Sequence, residues 1–454
     1  MEFIKKRLLV SDNNPSIVFN EKKCIDCGLC RMVCKNFNGI DVDKYNANGL
    51  AVCVNCGQCS AICPTGAICE RDDIGIVKKA IRTKGKIIVF QMAPAVRVAL
   101  GEAFGYSSGD NLEKKIVGLL RKLGADYVFD TTFGADMTVM EEASELIHRL
   151  KNNGRLPMFT NCCPSWYKFV EMYYPELIDN ITTVRTPINI TSICIKTYFA
   201  HKFNIDPKDI FVVSVTPCTA KKFEILRSEM NASSKYNKDG DYLDTDVVLT
   251  AKEVIRWAKS RNIELKDIAE SGFDSLFSRG SGAGIIFGST GGVMEATLRT
   301  AYYLLTGKKP PSKFLNFTQV HTYEQIKEAR VKIGPYSLKV LVITGLNNTR
   351  KFLDEVISGK RHYDVFEVMA CPSGCVGGAG QPKNVNKSAP HRRAMGLLNY
   401  DEKLNLRYSY KNPDVIKMYD EMFGCPMSTL SKKLLHTKYN NKEKYLKLKN
   451  KIIK

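Results

Sequence analysis

Eight cysteines in two closely spaced groups are the residues of this chain best suited to chemistry. Each group has three cysteines separated by two residues and a fourth cysteine three residues further on. Such a run can surround three corners of an iron–sulfur cube, while its fourth cysteine ligates the cube of the other run. Zinc, the alternative, usually takes short cysteine pairs with a longer spacer. The spacing predicts two [4Fe–4S] clusters, one held by Cys24, Cys27, Cys30 and Cys63 and the other by Cys34, Cys53, Cys56 and Cys59.

Five of the other cysteines lie in three separate motif-like segments, at residues 160–166, 216–222 and 367–382. Each segment follows a predicted strand or precedes a turn, and sites in α/β proteins gather outside the carboxyl ends of strands. Three loops that supply four thiolates would build a buried cluster between two lobes. The alternative is that they are ordinary buried cysteines, which behave as small hydrophobic residues. We adopt that interpretation for the remaining three, Cys69, Cys194 and Cys425.

Two acids and an arginine lie on one face of a predicted helix at residues 137–150. Glu142, Glu145 and Arg149 are three and seven positions apart, which places them side by side along a helix. A solvated helix start with a Glu145–Arg149 ion pair would have the same pattern. Buried acids on a proton path would instead have perturbed pKa values.

Alternating strands and helices must position these residues. Buried strands are predicted at 86–91, 126–130, 209–215, 339–344 and 365–369, and helices at 96–104, 112–123, 137–150, 251–260 and 349–358. This alternation predicts an α/β fold with mostly parallel sheets. A glycine-rich stretch at 279–292 lacks the order of a nucleotide-binding loop, so we interpret it as a close-packed turn.

Length and charge limit the remaining possibilities. The chain has 454 residues and a net charge of 67 − 47 = +20, which suggests two to four domains and excludes disordered and collagen-like classes. No signal peptide or membrane-spanning run is present in the sequence, which predicts a cytoplasmic protein. Residues 431–454 contain nine lysines and one glutamate. They predict a solvated basic helical tail, with a docking surface for an acidic partner as the alternative.

The three cysteine segments, in this order, resemble the signature segments of [FeFe]-hydrogenases, whose patterns are TSCCPxW, MPCxxKxxE and ExMACxxGCxxGGGQP. The resemblance extends from Cys24 to about residue 430 and includes a preceding two-cluster ferredoxin-like module. It implies a ferredoxin-like domain at 1–80, a two-lobed α/β catalytic domain at 81–430 that encloses the active-site cluster, and the basic tail at 431–454.

The resemblance also implies a cofactor, the H-cluster, in which a [4Fe–4S] cube is joined through a cysteine sulfur to a diiron unit with carbon monoxide, cyanide and dithiolate ligands. Lys221 is expected to reach one cyanide, the backbone at Ala93 and Pro94 the other, and Met369 to pack against the diiron unit. The implied cube ligands are Cys163, Cys218, Cys371 and Cys375, with Cys375 as the bridge.

A proton path follows from the same resemblance. It implies that Cys162 carries protons, with Glu142, Thr182 and Glu145 as partners and Arg149 at the entrance. Two positions depart from the family patterns. Thr216 replaces a methionine near the diiron unit, and Asn161 replaces a serine. These departures predict a divergent branch of the family.

The implied activity is reversible reduction of protons to hydrogen, with electrons exchanged through the two N-terminal clusters. The positive charge fits a ferredoxin or similar acidic carrier. Dedicated maturation proteins would supply the diiron unit, and a monomer that binds neither nucleic acid nor membranes is expected. The alternatives are a hydrogen sensor with the same cofactor and slow turnover, and an iron–sulfur assembly factor without the diiron unit. Such a factor would need neither Cys162 nor Lys221.

Overall fold

Two β-sheets position the segments that carry the cysteines. The computed structural model describes residues 7–42, 51–311, 314, 318–319, 326–383 and 388–442. The first sheet is parallel throughout, and the second combines parallel pairs with an antiparallel edge. In spatial order the first contains Tyr127–Asp130, Ile87–Met92, Ile210–Thr216 and Val247–Thr250, and the second contains Met158–Phe159, Val365–Met369, Tyr336–Thr344, Ile326–Ile333 and Thr318–Gln319.

The strand sequences explain this arrangement. Ile87–Met92 is an apolar run in which all residues after Ile87 are buried, as expected for a parallel strand covered on both faces. Ile326–Ile333 largely alternates between buried and more exposed residues, which is typical of an antiparallel strand with one solvated face. The predicted α/β fold with mainly parallel sheets is confirmed.

Helices cover both sheets, and most of the predicted ones are present. Those predicted at 112–123, 251–260 and 349–358 are found within a few residues of their expected ends. The longer helices are Ile74–Arg82, Glu113–Leu123, Thr131–Lys151, Pro164–Tyr173, Pro187–Cys194, Ala251–Ser260, Gly292–Thr306, Leu346–Ile357 and Ala389–Lys403, and the shorter ones include Ala220–Glu224, Ala232–Asn237, Pro413–Met418 and Thr429–Leu435.

The helix with the candidate acids is longer than the predicted 137–150, because it begins six residues earlier. It spans Thr131–Lys151, and the side chain of its N-cap residue Asp130 accepts a hydrogen bond from the Thr132 amide. Gly134 lets the helix Pro187–Cys194 approach closely, since a Cβ there would lie 2.3 Å from the Pro187 carbonyl oxygen. The helix is therefore a buried central element.

Three predicted elements differ from the structure. Residues 96–104 contain no α-helix, because the chain turns through the 3₁₀ segments Pro94–Val96 and Leu100–Phe104. The glycine-rich stretch is a turn that also contains the short helix Gly282–Ile285. In the predicted tail at 431–454, helix Thr429–Leu435 ends before residues 436–442, which are not helical and pack against the body of the protein. The rest of this tail, at 443–454, lies outside the described residues. The division at residues 80 and 430 stays a prediction.

The N-terminal cysteines lie in a small module attached to this body. Strand Ile17–Phe19 pairs antiparallel with Ile68–Glu70, and the short helices Leu29–Met32 and Gln58–Ile62 carry part of the cysteine runs. Among the described residues, no helix is long and apolar enough to cross a membrane.

Candidate functional site

A buried cavity lies where strands of both sheets end. Its empty space, counted out to its opening toward solvent, is about 750 Å³, and its lining includes the four cysteines assigned to the cube. Two of the cysteine loops follow the strands Ile210–Thr216 and Val365–Met369 directly. Other lining residues are Ala93, Pro94, Cys162, Thr216, Lys221 and Met369. The structure therefore brings together the residues that the sequence placed around one cofactor, although their roles stay predictions.

The four thiols resist ionisation without a bound cation. Burial, with a smaller effect from the neighbouring Cys163, raises the pKa of Cys218 to about 11. Burial also raises the pKa of Cys163 and Cys375, and that of Cys371 well above its ordinary value. A positively charged iron–sulfur centre would supply the charge that favours the thiolate forms. The donor set and the space therefore fit an iron–sulfur cofactor.

Lys221 reaches the cavity from helix Ala220–Glu224 and is held by that helix's last residue. Its ammonium donates to Glu224 Oε2 at 2.7 Å. The Glu224 carboxylate also accepts from Tyr167 and Thr186 and is fully buried. The sequence analysis did not select Glu224, although it is the final glutamate of the pattern MPCxxKxxE.

Cys162 lines the same cavity and contacts Met369. Its thiol donates to the Met369 sulfur at 3.8 Å, and both side chains are buried. Burial, and then the charge of Glu367, raise the pKa of Cys162 well above its ordinary value. The residue is therefore a neutral thiol unless a proton acceptor or cation acts on it.

Glu142 is buried with a carboxylate that is only half satisfied. Its Oε2 accepts from the Thr297 hydroxyl at 3.2 Å, while its Oε1 has no hydrogen-bond partner among the described residues. Burial, and then the charge of Glu145, raise its pKa to about 8. A carboxyl with such a pKa can both hold and release a proton near neutral pH.

Glu145 connects Thr182 with Arg149. Its Oε2 accepts from the Thr182 hydroxyl at 2.9 Å, and its Oε1 accepts from Arg149 Nη2 at 2.6 Å. Arg149 also donates to four backbone carbonyls and is largely buried. The solvated helix start weighed above is therefore wrong, because the Glu145–Arg149 pair exists but lies inside the protein.

The two positions that depart from the family patterns bond to nearby backbone. The Thr216 hydroxyl donates to the Cys218 carbonyl at 3.1 Å and accepts from the Cys218 amide at 3.3 Å. The Asn161 side-chain amide contacts the Val184 carbonyl and the Tyr439 hydroxyl. Thr216 thus shapes the turn that carries a candidate ligand, and Asn161 joins the cysteine loop to the C-terminal segment.

The N-terminal cysteines separate into two groups. Cys24, Cys27, Cys30 and Cys63 line a common pocket. In the other group, burial and then the nearby thiols of Cys56, Cys59 and Cys53 raise the pKa of Cys34 well above its ordinary value. Within the described ranges, no three His, Cys, Asp or Glu side chains form a site for a single metal ion. The pairing predicted from the spacing matches both groups, while the ligand roles stay predictions.

Nitrogen donors surround the second group, a feature that the sequence analysis missed. The Asn38 side chain donates to Cys56 Sγ at 3.3 Å, and the Asn14 side chain donates to Cys53 Sγ at 3.5 Å. The Asn55 amide donates to the same Cys53 sulfur at 3.2 Å. Nothing in the spacing of asparagines identifies these contacts, since they depend on the folded loops.

Glu367 is another residue that the sequence analysis left without a role. Its buried carboxylate accepts from the Gly291 amide at 2.6 Å and the Met294 amide at 2.8 Å. It therefore caps the helix Gly292–Thr306, whose N-terminus favours a negative charge. Burial raises its pKa to about 7. The available signal was its place as the first residue of ExMAC.

Comparison with known proteins identifies the family to which this fold belongs. Residues 86–379 match the family described as iron only hydrogenase large subunit, C-terminal domain, and residues 387–442 match the iron hydrogenase small subunit family. The chain belongs to the iron-only hydrogenase family.

Three relatives illustrate the similarity. The chain is 38% identical to the NADP-reducing hydrogenase subunit HndD of Solidesulfovibrio fructosivorans, over 95% of this chain and 76% of the relative. It is 39% identical to iron hydrogenase 1 of Clostridium pasteurianum, over 95% of this chain and 77% of the relative. A solved [FeFe]-hydrogenase, studied for oxygen inactivation at the 2Fe subcluster of its H cluster, is 37% identical with a TM-score of 0.73, over 82% of this chain and 99% of that one.

Proposed function

We propose that this chain is an [FeFe]-hydrogenase that catalyses the reversible reduction of protons to hydrogen at an H-cluster. One observation carries the proposal. The cavity is lined by four cysteines from three distant loops together with Cys162, Lys221 and Met369. Four buried thiols alone would suit many iron–sulfur proteins. The resemblance to [FeFe]-hydrogenases implies that proton reduction also uses Cys162, Lys221 and Met369.

The cavity residues have distinct proposed roles. When bound, the H-cluster supplies the redox chemistry that joins two protons and two electrons. Lys221 would donate to one of its cyanides, the backbone at Ala93 and Pro94 would border the other, and Met369 would exclude water from it. Cys163, Cys218, Cys371 and Cys375 would hold the cube, with Cys375 as the bridging ligand.

Protons would travel between Cys162 and Arg149 by way of Glu142, Thr182 and Glu145. The raised pKa of Glu142, about 8, supports this role, because a proton carrier works best when its pKa is near the working pH. The hydrogen bond from Thr182 to Glu145 supports the next step. Arg149, bonded to Glu145, would fix the orientation of that carboxylate near the surface.

Electrons would pass through two [4Fe–4S] clusters, the outer held by Cys24, Cys27, Cys30 and Cys63 and the inner by Cys34, Cys53, Cys56 and Cys59. Cys56 supports this order, because burial and then electrostatic contacts with thiols that include Cys163 and Cys218 of the cavity raise its pKa to about 12. The cysteine group that contains Cys56 therefore faces the cavity, while Cys27 of the other group is exposed.

The external electron carrier would be a ferredoxin or a similar acidic protein. The net charge of +20 supports an acidic partner, because opposite charges speed association. The similarity to a subunit named as NADP-reducing supports a second candidate, in which electrons pass to further subunits and then to NADP. In either case we propose a cytoplasmic protein that receives its diiron unit from maturation proteins. A monomer fits only the first candidate.

Thr216 would make this chain a divergent branch of the family. A hydroxyl bonded to the Cys218 backbone stands where the family pattern has a thioether. The change alters the polarity of the cavity wall next to a proposed ligand. It is expected to affect turnover or gas sensitivity and to leave the cofactor type unchanged.

The decisive experiment measures cofactor and activity on one anaerobic sample. The protein would be reconstituted with iron and sulfide, supplied with the diiron cofactor, and assayed for hydrogen release from reduced methyl viologen. Infrared bands of iron-bound carbon monoxide and cyanide together with hydrogen release would support the proposal. Cys162→Ala should keep the bands and nearly abolish hydrogen release. Cys194→Ala, which changes a buried thiol away from the cavity, should keep both the bands and hydrogen release. Intact cubes without bands would refute the proposal.

A further inference from the structure

A histidine of the C-terminal segment contacts the proposed proton path. The Thr183 hydroxyl donates to Glu145 Oε2 at 3.0 Å, and its oxygen lies 2.7 Å from His436 Nδ1. On the other side of the ring, His436 Nε2 lies 3.0 Å from Glu141 Oε2. Glu145 is therefore joined to a second series of hydrogen-bonding groups, apart from its contact with Arg149.

Backbone hydrogen bonds fix this histidine in place. The Thr437 amide donates to the Thr183 carbonyl at 2.7 Å, and the Arg185 amide donates to the Leu435 carbonyl at 2.7 Å. The Arg185 guanidinium also donates to the His436 carbonyl at 3.0 Å. The His436 side chain is only 7% exposed. The ring therefore lies between the Thr183 hydroxyl and the Glu141 carboxylate in a fixed orientation.

Glu141 provides a negative charge for the ring. Its carboxylate accepts from the Tyr419 hydroxyl at 2.7 Å, the Met427 amide at 2.8 Å and the Ser431 hydroxyl at 3.1 Å. Together with His436 Nε2, four groups of the protein therefore lie within hydrogen-bond distance of the Glu141 carboxylate. The charged and titratable groups around the His436 ring and Thr183 are Glu141, Tyr419, Glu145, Arg149 and Arg185.

We propose that Thr183 and His436 form a branch of the proton path, in which His436 stores a proton exchanged with Glu145. The inference rests on the proposed function and names residues beyond the path implied by resemblance. We call this pair of residues the Thr183–His436 branch. His436 would act as a proton-storing residue that touches neither the cavity nor the cofactor.

The transfer is balanced. When Glu145 carries a proton, its O–H donates to Thr183 Oγ1, and the Thr183 hydroxyl donates to His436 Nδ1. Shifting both protons breaks the O–H bonds of Glu145 and Thr183 and forms a new Thr183 O–H and a His436 Nδ1–H. Glu145 becomes a carboxylate, His436 becomes an imidazolium paired with Glu141, and no electron moves. Reversal of the two shifts returns the proton.

The first test needs no hydrogenase activity. The titration of His436 would be followed by NMR in the full chain with ¹⁵N-labelled histidine, assigned with His436→Gln. Glu145→Gln should move the His436 midpoint in the wild-type background, and this shift should shrink in a Thr183→Val background and return with Thr183→Ser. The exposed His201 is the internal reference. If the titration midpoint of His436 is the same in the wild type and in Glu145→Gln, the branch is overturned.

The second test uses the loaded enzyme. Thr183→Val should lower hydrogen evolution by about tenfold. The effect is smaller than the loss of an obligatory proton carrier, because the contact of Glu145 with Arg149 remains. His436→Gln, which keeps an amide at the ring position, should lower it by a similar factor, and the double variant should be no slower than either. Thr183→Ser should restore the rate and its pH profile.

Each outcome has a separate meaning. Wild-type rates and pH profiles in both Thr183→Val and His436→Gln would overturn the branch and leave the proposed function intact. A loaded wild-type protein that releases no hydrogen would instead refute the proposed function, and the NMR coupling would still decide whether Glu145 and His436 exchange charge.

Discussion

The electron side and the proton side of the cavity are built from different chemistry. On the electron side, the loop that carries Cys56 places thiols, backbone amides and asparagine side chains next to the four cysteines of the cavity. On the proton side, Glu142 and Glu145 project from the face of one long helix, and Thr182 meets them from a neighbouring loop. Both sides belong to the same fold, and the side chain they have in common is a thiol, which the proton side uses only at Cys162.

The difference teaches what each kind of transfer demands from a protein. Electrons cross short distances without moving atoms, so the electron side needs close and rigid packing. A Cβ on Gly57 would lie 2.3 Å from Thr219 Oγ1 and 2.9 Å from the Ala379 side chain, so the loops touch with no space for a side chain. Protons need groups that change charge, and Glu142 has a pKa raised to about 8 by burial.

The largest expected effect breaks the proton side alone. Glu142→Gln keeps the volume and removes the ability to carry a proton, so hydrogen evolution should fall by about 10²- to 10⁴-fold. Infrared bands and cluster reduction should be unchanged, because the electron side is intact. Asp136→Asn is the matched control, a buried acid of the same helix that bonds Ser281 and Ser409 instead. A rate loss as large in the control would contradict the assignment.

The next effect concerns stability and its dependence on pH. Burial raises the pKa of Glu142 from 4.5 to about 8, so the folded protein keeps a proton that the unfolded chain releases. Stability from this group therefore falls as the pH rises through that range. Relative to wild type, Glu142→Gln should gain on the order of 3 kcal/mol in free energy of unfolding between about pH 5 and pH 9. Urea unfolding at both pH values measures it, and a constant difference would refute the raised pKa.

A smaller effect sharpens the comparison on the electron side. Asn38→Ala removes the donor to Cys56 at 3.3 Å, and that hydrogen bond favours the more negative, reduced cluster. A loss of about 1 kcal/mol lowers the inner cluster's potential by roughly 40 mV. Redox titration followed by EPR measures the shift, with the outer cluster of the same sample as the reference. If Asn38→Ala shifts the potential of the outer cluster alone, the proposed order of the two clusters is wrong.

The smallest effect concerns Thr216 in the lining of the cavity. Thr216→Met restores the side chain of the family pattern and removes the hydroxyl contacts with Cys218. We expect hydrogen evolution to change by about threefold, the size of one modest hydrogen bond. Thr216→Val, which removes only the hydroxyl, separates the loss of the contacts from the gain of the thioether. Equal rates in all three proteins would show that the departure is neutral.

Local patterns made the fold and the cysteine site predictable. The runs of cysteines and the apolar strands are readable because each depends on a few adjacent residues, and the cavity gathers the cysteines of 160–166, 216–222 and 367–382 as expected. The side-chain donors Asn38 and Asn14 and the ring of His436 were not predictable, because they contact residues distant in sequence. Residues 96–104 were misread as a helix since their apolar spacing also suits 3₁₀ turns.

Residues 436–442 have a consequence for the order in which the site is completed. They are synthesised last among the described residues, and they bring His436 and Tyr439 against residues that surround the cysteine loop. Chains begin to fold from the N-terminus during translation. All twelve candidate ligand cysteines precede residue 376, so we expect the growing chain to assemble the thiol-lined pocket first. The part of the site next to Glu141 and Glu145 is completed only when residues 436–442 have left the ribosome.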